Sequence, residues 1–504
     1  MRNRTAALLL VLSMCPVPGL MAHAEGANAD TTWMTVLLGG RKIGHLEIEH
    51  QRTGDVVTTT QTLVIELNRN GTGVPMGVTT HSTESAAGEP LAFYSRSSLS
   101  SSDSTVEGKR QSDGNFAVST SVGGETRMIT LSWPPGAVLS EGQRLALVKA
   151  AGHPGEHYEM SMFDPASQAV ARVDMEVIGN ERVVLPDGPR MLNHQRQVLQ
   201  TPRGAQTMDL WLDEQGMARK GTLQMLGHEL EMLACNKACA MAPVQNVDMF
   251  RVAMVDSPRL LPPEMRNDFL RYRIHMQPGA PQPVINTDEQ HVTRLGASDW
   301  VVDVGNAQPG GESPPDEQDT LPNAWVQSDA PAIRQLATRA VGGASDDLQK
   351  MRRLRSFVSD YITQHGLDVG YASALEVVRT REGDCTEYAV LLAALARAEN
   401  IPTRVVTGMV YADRFAGSSR VFVPHAWVQS WINGRWQSFD AALRRFDSSH
   451  IALDTGDGDP WHFFNAASLF GQMRIEEISP AWQLAGNTPP SVAAEPPASP
   501  GGRP

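Results

Sequence analysis

The sequence predicts a multidomain protein in which an all-β antiparallel region is followed by an α+β domain. In the first half, apolar residues alternate with polar ones, as at Val173, Met175 and Val177, which is the period of a strand with one buried face. Paired glycines such as Gly39-Gly40 and Gly123-Gly124 recur between these runs and indicate tight turns. Beyond about residue 326 the apolar spacing becomes that of helices, and further strands follow these helices.

Changes in composition divide the chain into six segments. Pro309-Gly310-Gly311 belongs to a Pro- and Gly-rich linker, and the last residues are rich in Pro and Ala, which is typical of disorder. We expect a signal peptide at 1–24, an all-β domain at 25–245, a small β extension at 246–305, a linker at 306–325, an α+β domain at 326–485 and a disordered tail at 486–504.

The overall composition limits the classes of partner. The 504 residues are 41% hydrophobic and 20% charged, with a formal net charge of −13, which is compatible with sizeable buried cores. A phosphate backbone selects for Lys and Arg, so we expect no nucleic-acid partner. No Gly-rich loop follows a predicted strand, so no nucleotide cofactor is expected. After the N-terminus, no segment of the sequence has the length and apolarity of a membrane span.

The N-terminus reads as an export signal. Arg2 and Arg4 precede an apolar run at 6–14, and Ala22-His23-Ala24 has the small-x-small pattern of a cleavage site. The mature chain is then expected to begin at Glu25, most simply in a periplasm, with secretion as the alternative. A membrane anchor is the other interpretation of the apolar run.

The chain has four cysteines, and their positions suggest different roles. Cys15 is expected to leave with the signal; it is also a candidate for lipidation, although Met14 precedes it where a small residue is usual. Cys235 and Cys239 are close enough to form a disulfide in an oxidising compartment; zinc is the alternative, but a second ligand pair is missing. Cys385 is left as a thiol, either buried and inert or kept for its reactivity.

Helices are expected before Cys385. Ser328 and Pro331 predict the start of a helix that runs to about Val341. Ser345 is the predicted cap of a second helix, and a short third helix is predicted over 373–379. The apolar stripe of the second helix is formed by Leu348, Met351, Leu354 and Val358.

Cys385 is expected in the first turn of a further helix. Asp384 and Glu387 fit an acidic variant of the capping box, so a helix should begin at Cys385 and end before Ile401-Pro402. The positive end of the helix dipole lowers the pKa of a thiol placed there and favours the nucleophilic thiolate. By itself the position is equally compatible with a small packing residue.

A hairpin is predicted to hold a histidine and an aspartate together. Asn433-Gly434 is a strong two-residue turn signal, and it sets the pairing of the flanking strands. With that register His425 opposes Ala442 and Asp440 opposes Trp427, so that all four share one face. The His425 and Asp440 side chains are then diagonal neighbours within reach of a hydrogen bond.

Together these residues predict a cysteine triad. Cys385 would attack an acyl carbon, His425 would take and return the proton, and Asp440 would orient the imidazole. The backbone N–H of Cys385 is a natural oxyanion donor. The alternative for His425 alone is a structural histidine, and no substrate-binding residue can be assigned.

The motifs resemble those of the transglutaminase-like superfamily, in its exported bacterial branch. The resemblance covers roughly 326–470 and is carried by Gly383-Asp384-Cys385, His425-Ala426-Trp427 and Asp440, with the stretch 396–408. It implies a papain-like α+β core and assigns the catalytic roles to Cys385, His425 and Asp440. The N-terminal β region also looks like what precedes this core in some exported bacterial relatives.

The sequence differs from other members of the superfamily at two positions that bear on the expected reaction. Ala441 stands where many relatives have proline, and Thr386 stands where animal transglutaminases have tryptophan, which argues against protein cross-linking in particular. Bacterial members of the superfamily are often peptidase- or amidase-like, so the resemblance implies such an enzyme. Its expected substrate is a protein or peptide, with a component of the cell envelope as a candidate. A true glutamine transamidase, and an envelope-binding module with a vestigial triad, are the alternatives. The oligomeric state is not indicated.

Other polar residues in this half are weaker candidates. Asp454, Asp457 and Asp459 could bind calcium, but their spacing is not that of an EF-hand, and a solvated loop is the favoured interpretation. His450 lies nearby without an assigned partner. Trp427 is expected to pack and to form a wall of the site. No metal is expected.

Overall fold

The structure is a computed structural model, and it describes residues 28–69, 72–99, 102–201, 204–277, 284–305, 312–366, 371–460 and 469–480. The expected signal peptide, Cys15, the first part of the linker and the expected tail lie outside the described residues.

The N-terminal region is a single long antiparallel sheet, which confirms the all-β prediction. In the described residues it has 15 strands in the order β8-β7-β6-β5-β4-β3-β2-β1-β15-β14-β13-β12-β11-β10-β9, and only the contact between β9 and β10 is parallel. The strands are β1 Asn28–Leu38, β2 Arg41–Thr53, β3 Val56–Arg69, β4 Thr72–Ser85, β5 Pro90–Leu99, β6 Ser102–Arg110, β7 Phe116–Val122, β8 Glu125–Leu131, β9 Ala137–Val138, β10 His157–Asp164, β11 Ala169–Leu185, β12 Gly188–Thr201, β13 Gly204–Leu212, β14 Ala218–Met225 and β15 His228–Cys235.

A helix within this region was not predicted. Helix α1, Ser140–Ala150, follows β9, and its first turn buries Glu141, whose carboxylate is bound by Arg144 and His50. A buried acid is invisible to an apolar-periodicity argument, because its burial depends on partners that are distant in sequence. A short helix, α2 Lys237–Ala240, follows β15.

The C-terminal region is α+β, as predicted. Its helices are α3 Met249–Ala253, α4 Pro263–Arg266, α5 Glu317–Thr320, α6 Pro331–Val341, α7 Asp347–Tyr361, α8 Ala374–Thr380 and α9 Cys385–Ala398. Its strands are β16 Val255–Asp256, β17 Leu270–Met276, β18 Gln290–Arg294, β19 Asp299–Val304, β20 Thr403–Phe415, β21 Ser418–Ile432, β22 Arg435–Phe439, β23 His450–Gly456 and β24 Met473–Pro480.

The predicted helices are found, and only the N-cap of the second one differs from the prediction, by one residue. Helix α6 begins at Pro331, Ser373 caps α8, and α9 begins at Cys385. The cap of α7 is Asp346 rather than Ser345, since the Asp346 carboxylate accepts from the N–H of Gln349. An ionised carboxylate is at least as good a cap as a serine hydroxyl, so either of these adjacent residues could take the role.

The C-terminal strands form two sheets. The first has the order β16-β21-β20-β23, with β22 also paired to β21. The second has the order β18-β19-β17-β24 and so joins the segment expected to be a small β extension to a strand near the end of the described chain. Helix α9 packs on β20 and β21 and is buried on nearly all sides, which explains its almost continuous apolar sequence.

Candidate active site

The N-terminus of α9 is closed by a reciprocal capping box. The Asp384 carboxylate accepts from the N–H of Thr386 at 3.0 Å, and the Glu387 carboxylate accepts from the N–H of Asp384 at 2.9 Å. Glu387 folds back over Gly383 so closely that a Cβ at this glycine would overlap the Glu387 side chain. The Gly-Asp-Cys order therefore has a local steric cause.

Glu387 is a buried acid that ties this helix start to the segment just before α8. Its side chain is fully buried and accepts from the N–H of Ala372 at 2.8 Å and the hydroxyl of Thr386 at 3.0 Å. Burial, reinforced by the neighbouring Asp384 charge, raises the pKa of Glu387 well above its ordinary value. The position of Cys385 is thus set by a network of hydrogen bonds as well as by the helix.

Cys385 lies at the wall of a surface pocket of about 460 Å³. The half-buried thiol shares this pocket with His365 and Tyr388, whose ring nitrogen and hydroxyl are 2.9 Å apart. Ala442 and Arg444, from the loop that follows Asp440, also belong to the lining. A peptide-sized group could therefore reach Cys385 beside the loop that carries the predicted acid.

His425 lies on β21 between two different partners of that strand. β16 pairs with Val421 and Phe422, whereas β22 pairs with 428–432, in the register predicted from the Asn-Gly turn. The ladder ends at Val428 and Phe439, so Asp440 begins a loop rather than facing Trp427 within a strand, as had been expected. Neither β16 nor β22 pairs with His425 itself, which lies between the two paired segments of β21.

His425 and Asp440 are in direct contact. Nε2 of His425 is 2.7 Å from Oδ2 of Asp440, and both side chains are almost completely buried. Because an ionised carboxylate can only accept, the proton of this hydrogen bond is on Nε2, and Nδ1 is the basic nitrogen of the neutral ring. The other carboxylate oxygen accepts from the N–H of Leu443 at 3.0 Å.

His450 is a third member of this cluster that the sequence did not reveal. Its Nε2 lies 3.1 Å from the same Oδ2 of Asp440. Its Nδ1 is 2.9 Å from the carbonyl oxygen of Asp447, which is closer than the N–H of Asp447 at 3.4 Å. Both ring nitrogens therefore face acceptors, as in an imidazolium ion. The pairing of β20 with both β21 and β23 brings this histidine beside His425.

The charges of the cluster follow from these contacts. Burial alone would raise the pKa of Asp440, but the charge and hydrogen bond of His425, together with those of His450, hold it well below its ordinary value. Burial likewise opposes ionisation of His450, but Asp440 and Asp447 raise the pKa of His450 to about 9. At neutral pH, His450 is a buried cation beside a buried anion.

The same cluster is the one set of described residues whose donor atoms could hold a metal ion. Candidate ligand atoms of His425, Asp440 and His450 lie within 4.8 Å of one another. The hydrogen bonds of His425 and His450 to Asp440 are sufficient to explain why these atoms lie so close together. Asp454, Asp457 and Asp459 do not form such a set, and the sulfurs of Cys235 and Cys239 are joined in a disulfide with a Cα–Cα distance of 6.0 Å.

Aromatic rings enclose the histidines. Trp427 is buried; its ring lies 6.2 Å from that of His425 and 5.2 Å from that of His450, centroid to centroid. Its indole N–H donates to the hydroxyl of Ser438 at 3.2 Å. Trp427 thus packs as expected and limits the access of water to the pair of histidines.

Comparison with known proteins bears on this region. Residues 334–441 match the family model of the transglutaminase core, the transglutaminase-like superfamily. The chain carries a transglutaminase-like domain. The matched segment includes Cys385, His425 and Asp440, and it supports a cysteine-dependent enzyme in general terms. No curated protein matches the chain. In the described part of the chain, no helix has the length and apolarity needed to cross a membrane.

Several solved structures show a weak likeness. A proposed cysteine protease from Cytophaga hutchinsonii is 17% identical over 42% of this chain and 85% of its own, with a TM-score of 0.27. A β-barrel-like protein of a domain of unknown function from Brucella abortus is 13% identical over 41% and 95%, with a TM-score of 0.34. A proposed protease from Parabacteroides distasonis is 11% identical over 78% and 71%, with a TM-score of 0.19.

Proposed function

We propose that the chain is a cysteine-dependent acyl-transfer enzyme that cleaves amide or peptide bonds through a thioester. The observation that carries this proposal is the 2.7 Å hydrogen bond between His425 and Asp440. A histidine whose Nε2 is committed to a buried carboxylate keeps Nδ1 as a base of fixed orientation. Cys385, at the start of α9 and at a surface pocket, supplies the nucleophile.

The proposed reaction has two halves. Nδ1 of His425 takes the proton of the Cys385 thiol, and the thiolate forms a C–S bond to the carbonyl carbon. The backbone N–H of Cys385 donates to the developing oxyanion. His425 then protonates the amine as the C–N bond breaks, which leaves a thioester. Water attacks this thioester while His425 accepts its proton, and the C–S bond breaks to release the acid and restore the thiol.

The reactivity of Cys385 tests the pairing of thiol and imidazole. At pH 7 an ordinary thiol is only a few per cent ionised, so an ion pair with His425 should make alkylation by iodoacetamide roughly tenfold faster. The His425→Ala variant should lose this advantage. His275→Ala is a matched control, because His275 also bonds a carboxylate, Asp299, at 3.0 Å but lies outside the site.

Two results would count against the proposal. A native Cys385 that reacts no faster than glutathione, together with an unchanged rate in His425→Ala, would leave the binding-module alternative. Equal losses in His425→Ala and His275→Ala would indicate a general effect on folding rather than on the thiol.

Water is the acceptor that we favour, and an added amine distinguishes it from the transamidase alternative. Peptides from a cell-envelope extract would be incubated with the enzyme, with and without cadaverine, and analysed by mass spectrometry. Hydrolysis predicts new carboxyl ends in both samples and none in the Cys385→Ala control. Incorporation of cadaverine would instead identify a transamidase.

We also propose that the enzyme acts outside the cytoplasm, in the periplasm. The signal-like residues at 1–24 and the disulfide between Cys235 and Cys239 support this location. Cell fractionation with N-terminal sequencing tests it: the mature chain should begin at Glu25, and an intact leader in the cytoplasmic fraction would contradict export.

A further inference from the structure

The N-terminal sheet encloses a cavity of about 470 Å³. Strands β1–β4 contribute to one side of the cavity and strands β10–β15 to the other, while α1 completes its lining. No residue that lines this cavity lines the pocket of Cys385. The volume falls in the range of small-molecule sites, about 300–1,000 Å³.

The lining is mainly apolar and unusually rich in methionine. Leu46, Ile48 and Leu210 line the cavity, and Phe163 lies among them. Methionine side chains are unbranched and adapt to the shape of a flexible ligand. Five of them belong to the lining: Met34, Met162, Met208, Met217 and Met232.

Two buried polar groups of the lining have no hydrogen-bond partner. Among the described residues, Nε2 of Gln197 and Oγ1 of Thr59 are buried and unsatisfied, and each of the two residues is only 5% exposed. An orphaned buried amide or hydroxyl costs about 1–3 kcal/mol. The two groups lie on opposite halves of the sheet, β12 and β3, so a ligand between them could satisfy both.

Gln195, on the same strand, is a buried glutamine whose side-chain hydrogen bonds are all made within the protein. It shares a face of β12 with Gln197, yet its amide donates to the carbonyl of Leu147 at 3.0 Å and to Asn193 at 2.9 Å. Its carbonyl oxygen accepts from the Tyr158 hydroxyl at 2.9 Å. The packing can therefore satisfy a glutamine in this region, which makes the unsatisfied Gln197 amide a specific feature of the cavity.

The positive charge of the lining is already paired. Arg144 binds the Glu141 carboxylate through Nε at 2.7 Å and Nη2 at 2.6 Å, and Nε2 of His50 is 3.0 Å from the same carboxylate. The exposed Asp164 carboxylate accepts from the N–H of Ala166 at 3.1 Å and keeps its negative charge, which disfavours an anionic ligand. The lining thus offers a hydrogen-bond donor without an unpaired positive charge, and a neutral acceptor fits it best.

We propose that this cavity binds one neutral amphiphile, an apolar chain attached to an uncharged carbonyl. The chain would occupy the methionine-lined space, and the carbonyl oxygen would accept from Nε2 of Gln197 and the hydroxyl of Thr59. An acyl ester and an acyl amide share this chemistry. The site is independent of Cys385 and of the reaction proposed for it.

Laurdan, a neutral fluorophore with a dodecanoyl ketone, is a suitable probe. The full chain should bind laurdan at one saturable site with a blue-shifted emission. Methyl palmitate should displace the probe more effectively than hexadecane, which lacks an acceptor, and more effectively than the palmitate anion. An absence of saturable binding, or stronger displacement by the anion, would overturn the proposal.

Variants test the anchoring group. Gln197→Leu keeps the volume but removes the donor, so the affinity for laurdan should fall roughly tenfold, while its thermal stability should not fall. Gln224→Leu, the same change at an exposed position of β14, is the control and should bind normally. Equal affinities in all three proteins would overturn the role of Gln197.

A variant that fills the cavity provides a second, independent test of the proposed site. Ala218→Leu adds bulk to the lining and should reduce laurdan binding even if Gln197→Leu proves unstable. Competition by methyl palmitate and by N-palmitoylglycine methyl ester then distinguishes the two sources of the carbonyl. Displacement by either supports the site and identifies the ester or the amide as the ligand class; displacement by neither overturns it.

Discussion

At the scale of single residues, Asp440 is shared by two histidines with different roles. Oδ2 of its carboxylate lies within hydrogen-bond distance of Nε2 of both His425 and His450. His450 is held as a cation by Asp440 and Asp447, whereas His425 keeps a ring nitrogen for chemistry. A fixed positive charge therefore lies beside the base of the proposed reaction, on the same carboxylate oxygen.

Removal of this charge should change the reactivity of Cys385. In His450→Gln the Asp440 carboxylate acts on His425 alone, which favours the proposed thiolate–imidazolium pair, so alkylation of Cys385 by iodoacetamide at pH 7 should become roughly threefold faster. His275→Gln, which alters a distant histidine–carboxylate pair, should leave the alkylation rate unchanged.

A purely structural role for His450 predicts a different result. The variant would then lose stability while the alkylation rate of Cys385 stayed within error of its native value. An unchanged rate in a folded His450→Gln protein would therefore contradict a positioning role for His450 toward the base.

At the scale of elements, the loop between β22 and β23 is held by charged hydrogen bonds. Asp447, in this loop, bonds His450, the first residue of β23, and Asp440 at the start of the loop bonds the same histidine. The pKa of Asp447 is lowered to about 2 because hydrogen bonds from His450 and Ser449 outweigh the effect of burial. The loop is thus most stable where His450 is protonated and both aspartates are ionised.

This arrangement predicts a loss of stability in alkali. The pKa of His450 is about 9 in the folded protein and 6.5 ordinarily, so its contribution is complete below pH 6.5 and disappears as the pH rises through 9. The loss is on the order of 3 kcal/mol in the free energy of unfolding. Urea unfolding of the native protein at pH 6.5 and 9 measures this loss.

The control for the alkaline loss is His450→Gln, which has no proton to release. Its free energy of unfolding should change much less than that of the native protein between the same two pH values. A parallel decline in both proteins would show that another group causes the alkaline loss.

At the scale of the whole molecule, the N-terminal sheet contacts the C-terminal domain in two ways. Polar side chains form hydrogen bonds between them, and at one crossing two backbone segments approach each other closely at glycines. Ser102 donates to Glu376 at 2.8 Å, and Arg379 donates to the carbonyl of Gly123 at 2.7 Å. The crossing is formed by Gly227, in the turn between β14 and β15, and Gly471, just before β24. A Cβ on either glycine would overlap the backbone of the other segment.

Substitution at this crossing should cost more than backbone strain alone. Gly471 has φ +77° and Gly40 has φ +76°, but a Cβ at Gly40 would meet nothing within 4 Å. Gly40→Ala therefore measures the penalty of the left-handed conformation, about 1 kcal/mol. Gly471→Ala adds overlap with the Leu226 carbonyl and should cost about 2 kcal/mol more, visible as a lower Tm.

If Gly471→Ala and Gly40→Ala lowered Tm equally, the two segments would be able to separate without penalty, and the close crossing would not contribute to stability. A larger effect of Gly471→Ala that also weakens pairing of β24 with β17, seen as faster hydrogen exchange in β17, would support the joint role of the crossing.

Much of the site could be predicted because its parts are local in sequence. The start of α9 follows from Gly383, Asp384 and Glu387, which interact over one helical turn. The register of β21 and β22 follows from Asn433-Gly434, since a two-residue turn leaves a single choice of pairing. The fold class followed from changes of apolar period, which reflect the local geometry of strands and helices.

The sequence by itself therefore determined which residues form the helix of Cys385 and the hairpin of His425, because capping and turn chemistry act over a few residues. Only the tertiary structure decided that His450 joins Asp440, since β20 must first pair with both β21 and β23. It also decided the pairing of β17 with β24 and the burial of Glu141 and Gln197. These features depend on contacts between segments far apart in the chain, for which short-range patterns carry no information.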